Sequence, residues 1–253
     1  MTTWALDLDG VLWTGKNPIP GSSEAVSLLR DAGHDVIFVT NNSFATIAEQ
    51  EAKLASFDIE ADGHVVSSAQ AGASLVNAGE RVYVLGGPGV VEAAEARGAI
   101  VVDTGISAGV VDAVLVGLDW DLSYHRLVDA SQHVREGARF IATNDDSSYP
   151  TEKGLYPGAG SLVAAVAVAS GGTPVVAGKP HAPIADLVRH RFGSEGIMVG
   201  DRADTDGRFA HSVGYRFGLV FSGVTSRDDL PTDPVPDVTD EDLLSLVRAE
   251  LSR

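Results

Sequence analysis

Trp4-Ala5-Leu6-Asp7-Leu8-Asp9-Gly10 lies at the head of the chain and joins an apolar run to two acids and a glycine. The apolar run predicts a strand from Trp4 to Leu8. On a strand, residues i and i+2 project to the same side, so Asp7 and Asp9 are expected to point together. They come at the strand's C-terminal end, where Gly10 lets the backbone turn away. Paired carboxylates at such an edge suit magnesium and phosphate chemistry. A bare D-x-D is common, however, and taken alone describes a solvated strand end equally well.

Strands and helices alternate along the rest of the chain. Asp35 to Val39, Val65 to Ser67, Ile197 to Val199 and Tyr215 to Val220 read as strands. Ser22 to Ala32, Ile47 to Ser56, Ala69 to Asn77, His181 to Phe192, Arg202 to Ser212 and Asp240 to Leu251 read as helices. Continuous apolar strands such as Val36-Ile37-Phe38-Val39 imply a parallel sheet covered on both faces, so the expected class is α/β with a doubly wound parallel sheet. The middle of the chain repeats the pattern, with strands at Arg81 to Leu85, Ile100 to Val102, Ala113 to Val116 and Arg139 to Ala142. Helices are expected there at Val90 to Arg97, Tyr124 to Arg135 and Gly160 to Ser170. Gly79 and the stretch Gly171 to Pro174 punctuate its junctions. The expected organisation is a core of residues 1–79 and 178–253 with a second α/β domain inserted at 80–177. Asp229 to Asp237, with three prolines, reads as a surface loop.

The composition narrows the function. The 253 residues are 44% hydrophobic and carry 35 acids against 18 bases, a net charge of −17. Such a field repels nucleic acid and anionic lipid, and no basic patch offsets it. Its small share of lysine fits a salt-adapted source, or a GC-rich genome that favours Arg. No apolar window approaches the length of a membrane span, and no basic n-region precedes the first strand, so a cytoplasmic protein is expected. Cysteine is absent, which leaves oxygen or imidazole ligands for any metal. The seven histidines show no pair at metal-binding spacing on one helix face, and only His181, beside Lys179, falls near a motif.

Four segments fall at predicted C-terminal strand ends, the edge where open α/β sheets hold ligands. They are Asp7-Leu8-Asp9-Gly10, Thr40-Asn41-Asn42-Ser43, Gly178-Lys179-Pro180, and Gly200-Asp201-Arg202-Ala203-Asp204-Thr205-Asp206. Singly, each also fits a helix cap or a solvated turn. Together and in this order they resemble the four motifs of the haloacid dehalogenase superfamily. Further stretches are similar to its NagD-like, or 4-nitrophenylphosphatase-like, branch. These are Asp7 to Trp13 with Gly15 and Ile19-Pro20-Gly21, Gly137 to Asn144, Pro150-Thr151-Glu152, Pro157 to Ser161 and Gly223-Val224-Thr225. The resemblance implies a Rossmann-like core with a C2-type cap between the second and third motifs, where the inserted domain is expected. It allows a homodimer through that cap. Gly207 departs from the pattern, since an apolar residue is usual there.

The resemblance implies a Mg2+-dependent phosphatase of small phosphorylated metabolites, and the chemistry agrees. A phosphate monoester repels nucleophiles, so a site must neutralise its charge and align attack. Asp7 is the expected nucleophile, forming an aspartyl-phosphate. Asp9 is the expected acid and then base, with its pKa raised by the carboxylate beside it. Mg2+ would take the carboxylates of Asp7 and Asp201 and the carbonyl of Asp9, with Asp206 behind them. Asp204 reads as a first-turn acid of the following helix. Thr40 and the backbone N–H groups of Asn41 and Asn42, placed at the start of the next helix, would bind phosphate oxygens, and Lys179 would supply a fixed positive charge. Thr143 to Pro150 is expected to project as a loop over the site, where Asn144, Asp146 and Tyr149 would touch the leaving group. Two acids in that loop, Asp145 and Asp146, favour a sugar or polyol phosphate over a substrate with a second anionic group.

Other readings are weaker. Gly86-Gly87-Pro88-Gly89 fails the spacing of a dinucleotide loop, and Pro157-Gly158-Ala159-Gly160-Ser161 lacks the lysine of a P-loop and reads as a tight helix entry. A phosphotransferase would use the same residues. A non-catalytic phosphate-binding protein would not need Asp9, and a dehalogenase would need neither Asp9 nor Mg2+.

Overall fold

The apolar runs form a six-stranded sheet in a computed structural model that describes residues 2–102, 109–151 and 153–252. Glu152 of the Pro150-Thr151-Glu152 stretch therefore lies outside the described residues. The strand order is Val238–Asp240, Arg216–Val220, Gly196–Gly200, Thr3–Leu6, Asp35–Thr40 and Val65–Ser67. Thr3–Leu6 pairs in parallel with Gly196–Gly200 on one side and Asp35–Thr40 on the other. Successive residues such as Ala5 and Leu6, Phe38 and Val39, and Met198 and Val199 are all buried, as a sheet covered on both faces requires. From Thr3–Leu6 the chain winds outward one way through Asp35–Thr40 and Val65–Ser67. The later strands wind outward the other way. The reversal puts a crevice at the carboxyl end of Thr3–Leu6, where doubly wound folds take their ligands.

A second sheet, also parallel, has the order Val175–Val176, Arg139–Ala142, Ala113–Val116, Arg81–Leu85 and Ile100–Val102. Its faces follow the period of two. Val82 and Val84 pack with Ala69, Ala73, Val90 and Ala94 from the helices Ser68–Ala73 and Pro88–Ala96. Tyr83 and Leu85 pack the other way, with Ala130, Leu162 and Val166 from Tyr124–Arg135 and Ala159–Ser170. No helix among the described residues is long and apolar enough to cross a membrane.

The chain divides into two compact units, one of Met1–Thr40, Ala48–Val66 and Lys179–Arg253, the other of Asn41–Ile47 and Ser67–Gly178. The second unit thus begins well before residue 80. Ser67 accepts a bond from the Gln70 N–H and Gln70 answers to the Ser67 N–H, a capping box that starts a helix packed into that unit's own core. Asn41–Ile47 joins the same unit through Ser43 Oγ, which accepts from Leu118 N at 3.1 Å, and Phe44 O, which accepts from Gly89 N at 2.8 Å.

Other local expectations are revised. Ser148–Thr151 pairs antiparallel with Gly154–Pro157, so only residues 143–147 of the expected projecting loop are irregular. The expected helix from Arg202 starts as a widened turn, with Arg202 O accepting from both Asp206 N and Gly207 N, and becomes α-helical only at Arg208–Val213. Gly207, where an apolar residue is usual, closes this widened turn. A Cβ there would stand 2.8 Å from the Phe217 ring, so close packing requires the glycine. Gly87 and Gly89, in the false dinucleotide loop, likewise admit Phe44 and Ala45. Pro157 to Ser161 is the tight entry to Ala159–Ser170, as expected.

Candidate active site

The carboxyl edge of the first sheet brings together residues that lie far apart in sequence. The first strand ends at Leu6, so Asp7 and Asp9 lie just past it instead of on it. Register sets the rest. Leu6 pairs with Val199 and with Phe38, which leaves Asp7 level with Gly200 and Val39, and Asp201 and Thr40 one step further on. Asp7 N donates to Val199 O at 2.9 Å and holds this arrangement.

Lys179 stands at the centre. Its Nζ donates to Asp7 Oδ1 and to Asp206 Oδ1, each at 2.7 Å, with the lysine side chain 3% and that of Asp206 1% exposed. Asp7, Asp201 and Asp206 each offer a carboxylate oxygen, all within 4.8 Å of one another. Three carboxylates, two of them buried and that of Asp7 partly so, therefore face one ammonium. Burial pushes Asp7 and Asp206 above the usual carboxylate range, against the pull of Lys179. Asp201 is pushed up to about 8 by burial and by the charges of Asp206 and Asp7. Lys179 is held protonated by the two aspartates, which outweigh its own burial.

Asp9 has a different environment from the one its spacing suggests. Its carboxyl takes a different hydrogen-bond donor from that of Asp7, although the charge of Lys179 acts on both. Oδ1 accepts from the Trp13 indole Nε1–H at 2.9 Å. Its pKa is raised, as expected, but by burial and not by the neighbouring carboxylate, while Lys53 and the indole oppose the rise.

Asp201 is held by residues that spacing did not single out. Val224 N donates to its Oδ2 at 2.7 Å and Thr225 N to its carbonyl at 3.2 Å, while Ser222 Oγ donates to Gly10 O at 2.7 Å. Gly10, at φ 83°, and Gly223 close on this carboxylate. A Cβ would lie 2.3 Å from Asp201 Oδ2 at the first and 2.0 Å at the second. The Gly223-Val224-Thr225 triplet was the one available signal. Asp206 Oδ2 accepts from Arg202 N at 3.2 Å, so both its oxygens are engaged. Asp204 pairs instead with Arg202 at 3.1 Å, on the surface.

The Thr40 to Asn42 segment divides. Thr40 is the buried last residue of its strand. Asn41 and Asn42 belong to the second unit and are not at a helix start, because the following helix begins only at Ile47. Asn42 Oδ1 instead accepts from Phe44 N at 3.0 Å, closing an Asx turn. In that unit Asn41 Nδ2 donates to Asp146 Oδ2 at 3.1 Å and Asn42 Nδ2 to Tyr149 OH at 3.4 Å, so Asp146 and Tyr149 are tied to the segment that leaves Thr40. Asn144 is different. It is 3% exposed, and its amide donates to Asn41 O at 2.8 Å and accepts from Asp146 N, so it braces both residues from within. His181 stands at the N-cap of Ala182–Phe192.

The family description "Haloacid dehalogenase-like hydrolase" matches residues 4–100, and a second, HAD-hydrolase-like, matches residues 176–246. A curated 5'-nucleotidase of Bacillus subtilis, YutF, is 37% identical over 239 residues, 91% of either chain. Among solved structures, a glycerol phosphate phosphatase from Mycobacterium tuberculosis in complex with magnesium is 33% identical, with a TM-score of 0.89 over 97% of this chain and 76% of that one. A 4-nitrophenylphosphatase from Thermotoga maritima is 30% identical, with a TM-score of 0.89 over 98% of this chain and 97% of that one.

Proposed function

We propose that this chain, which belongs to the haloacid dehalogenase-like hydrolases and is a phosphatase, is a Mg2+-dependent hydrolase of sugar, polyol or nucleoside monophosphates that works through an aspartyl-phosphate on Asp7. The carrying observation is Lys179 clamped between Asp7 and Asp206, with Asp201 beside them, at the sheet's switch point. The named relatives act on a nucleotide, on glycerol phosphate and on 4-nitrophenyl phosphate, which supports a small monoester substrate.

In the proposed reaction an Asp7 carboxylate oxygen bonds to phosphorus as the bond from phosphorus to the ester oxygen breaks. Asp9 gives its proton to that oxygen, and the alcohol leaves. A water then attacks the phosphoryl group and loses a proton to Asp9 as the bond to Asp7 breaks. Lys179 meets the negative oxygens, and the Thr40 hydroxyl donates to one of them. The raised pKa of Asp9 supports its acid role, since the first half of the reaction needs it protonated.

The residues fit a divalent cation, as expected of a family that uses one. All donors are hard oxygens, and the buried negative charge exceeds what Lys179 balances. Asp7 and Asp201 would hold Mg2+ with the Asp9 carbonyl, while Asp206 would brace Lys179. Bound there, it would neutralise phosphate oxygens and orient the group for in-line attack. Chelation with EDTA is expected to lower turnover by about 100-fold or more, Mg2+ to restore it, and Ca2+, with its looser shell, to inhibit. Undiminished turnover after exhaustive chelation would remove the metal from the mechanism.

Calorimetry gives a second reading. Because Asp201 keeps its proton up to about 8, the metal-free fold binds more protons than the unfolded chain from the ordinary carboxylate range up to that value. Its stability therefore falls as pH rises through that window. Mg2+ needs the carboxylate, so its stabilisation of the fold is expected to grow from about pH 6 to about pH 8, with proton release on binding. A Tm shift independent of pH would contradict this donor set.

A panel of phosphorylated metabolites assayed with Mg2+ tests the substrate class. Tyr149 and Asp146, joined to Asn42 and Asn41, are the proposed contacts to the leaving group. Tyr149→Ala and Asp146→Ala are each expected to change kcat/KM unequally, by about 10-fold or more between the most and least affected substrates. Uniform small effects across the panel would move specificity elsewhere.

A further inference from the structure

Trp13 and Lys53 take no part in phosphoryl transfer, yet they bracket the Asp9 carboxyl. The Trp13 side chain is buried against Phe57, with ring centroids 5.8 Å apart. Its indole is the one hydrogen-bond donor to the Asp9 carboxyl among the described residues, at 2.9 Å. The turn between them is tight, with Gly10 N donating to Trp13 O at 2.7 Å and Leu12 N to Leu8 O at 2.9 Å. On the ring face, Lys53 Nζ lies 3.9 Å from the centroid and donates to Gly15 O at 3.2 Å. A cation there is attracted to the ring and fixes its plane.

An indole N–H can only donate, so the oxygen it meets must be an acceptor. The bond holds Asp9 by Oδ1, and among the described residues Oδ2 has no hydrogen-bond donor. We infer that Trp13, its ring steadied by Lys53, is a positioning residue that holds the Asp9 carboxyl by Oδ1 and sets where Oδ2 points. The inference rests on Asp9 acting as the acid and base. In the first half-reaction Oδ2 passes its proton to the ester oxygen as the bond from phosphorus to that oxygen breaks. In the second it takes a proton from the water that displaces Asp7.

The alternative is a core tryptophan whose N–H merely needs a buried partner. Leaving-group dependence separates the two. A 4-nitrophenolate departs without a proton, whereas an alkoxide requires one. The test compares Trp13→Phe and Lys53→Met with wild type on 4-nitrophenyl phosphate and on the best-hydrolysed alkyl phosphate of the panel. For Trp13→Phe, kcat/KM on the alkyl phosphate is expected to fall about 30-fold, but no more than about 3-fold on 4-nitrophenyl phosphate. Its kcat should fall on both, because water attack uses Asp9 in either case. Lys53→Met, on a half-buried surface position, should show the same pattern at about 5-fold and serves if Trp13→Phe lowers Tm sharply. Equal loss of kcat/KM on both substrates, or loss on neither, would overturn the inference. An Asp9→Asn control with unchanged kcat/KM on the alkyl phosphate would instead overturn the acid role of Asp9 itself.

Discussion

Asp7→Asn is expected to lower kcat by about three orders of magnitude or more while the fold and its Tm stay within the wild-type range. The side chains are nearly the same size, and an amide oxygen can still accept the 2.7 Å bond from Lys179. What is lost is the nucleophile, because an amide does not attack phosphorus and cannot carry the phosphoryl group. Replacing one of three crowded carboxylates also relieves repulsion, so a folding defect is not the expected cause of inactivity. Single-turnover assays with a labelled phosphate ester should trap phosphoryl-enzyme in wild type and none in the variant. Beryllium fluoride, a mimic of the aspartyl-phosphate, should inhibit wild type and fail to protect the variant. Residual turnover above about a tenth of wild type would assign the nucleophile to another group.

Lys179→Met is expected to be as damaging, for an electrostatic reason. Lys179 is buried and bonded to two aspartates, and breaking such an arrangement on one side costs about 3–5 kcal/mol, because charge is left behind without its partner. Asp7 and Asp206 would answer by holding protons to still higher pH. A protonated Asp7 is no nucleophile, and the positive charge facing the transferred group is gone. Turnover should therefore fall about 1000-fold on every substrate, unlike the selective losses expected at Tyr149 and Asp146.

The stability change carries its own pH signature. In the wild type the raised pKa of Lys179 contributes stability that is fully present below the ordinary lysine range and is lost as pH rises through the higher folded value. In the variant the aspartates destabilise the fold where they are charged and cease to as they protonate. The Tm gap from wild type should therefore narrow as pH falls toward about 5. A gap that widens on acidification, or kcat/KM within about 3-fold of wild type on any substrate, would mean that Lys179 is not the counter-charge.

The core architecture and most of the site were legible in the sequence. Continuous apolar runs such as Val36 to Val39 fit strands buried on both faces, and a parallel sheet aligns all their carboxyl ends on one edge. Asp7, Thr40 and Asp201 each follow or end a run that forms a strand of the first sheet, so their convergence followed from topology before any distance was known; the run before Lys179, Val175–Val176, is instead a strand of the second sheet, and only packing brings Lys179 to Asp7. Lys179 and Asp7 are 172 residues apart and still meet at 2.7 Å. Absence of cysteine likewise left only oxygen or imidazole donors for any metal, from composition alone.

Tertiary structure decided what no local pattern encodes. The second unit starts at Ser67 and takes in Asn41–Ile47, because those segments bury their side chains and backbone groups against its sheet. Asn144, polar and set among turn formers, became a buried support once Asn41 and Ser68 packed over it. The strand at Ser148–Thr151 was hidden because its pairing depends on a partner beyond the turn at Lys153 and Gly154, and an isolated hairpin has too little buried surface to announce itself. Spacing placed Asp9 beside Asp7, but the cause of its raised pKa is burial, and its partner is an indole four residues on, because a strand that ends at Leu6 sends the two carboxyls to different neighbours. Sequence order determines which groups reach the carboxyl edge of the sheet. Their charges, protons and supports are set by desolvation and close contact, which exist only once the chain has packed.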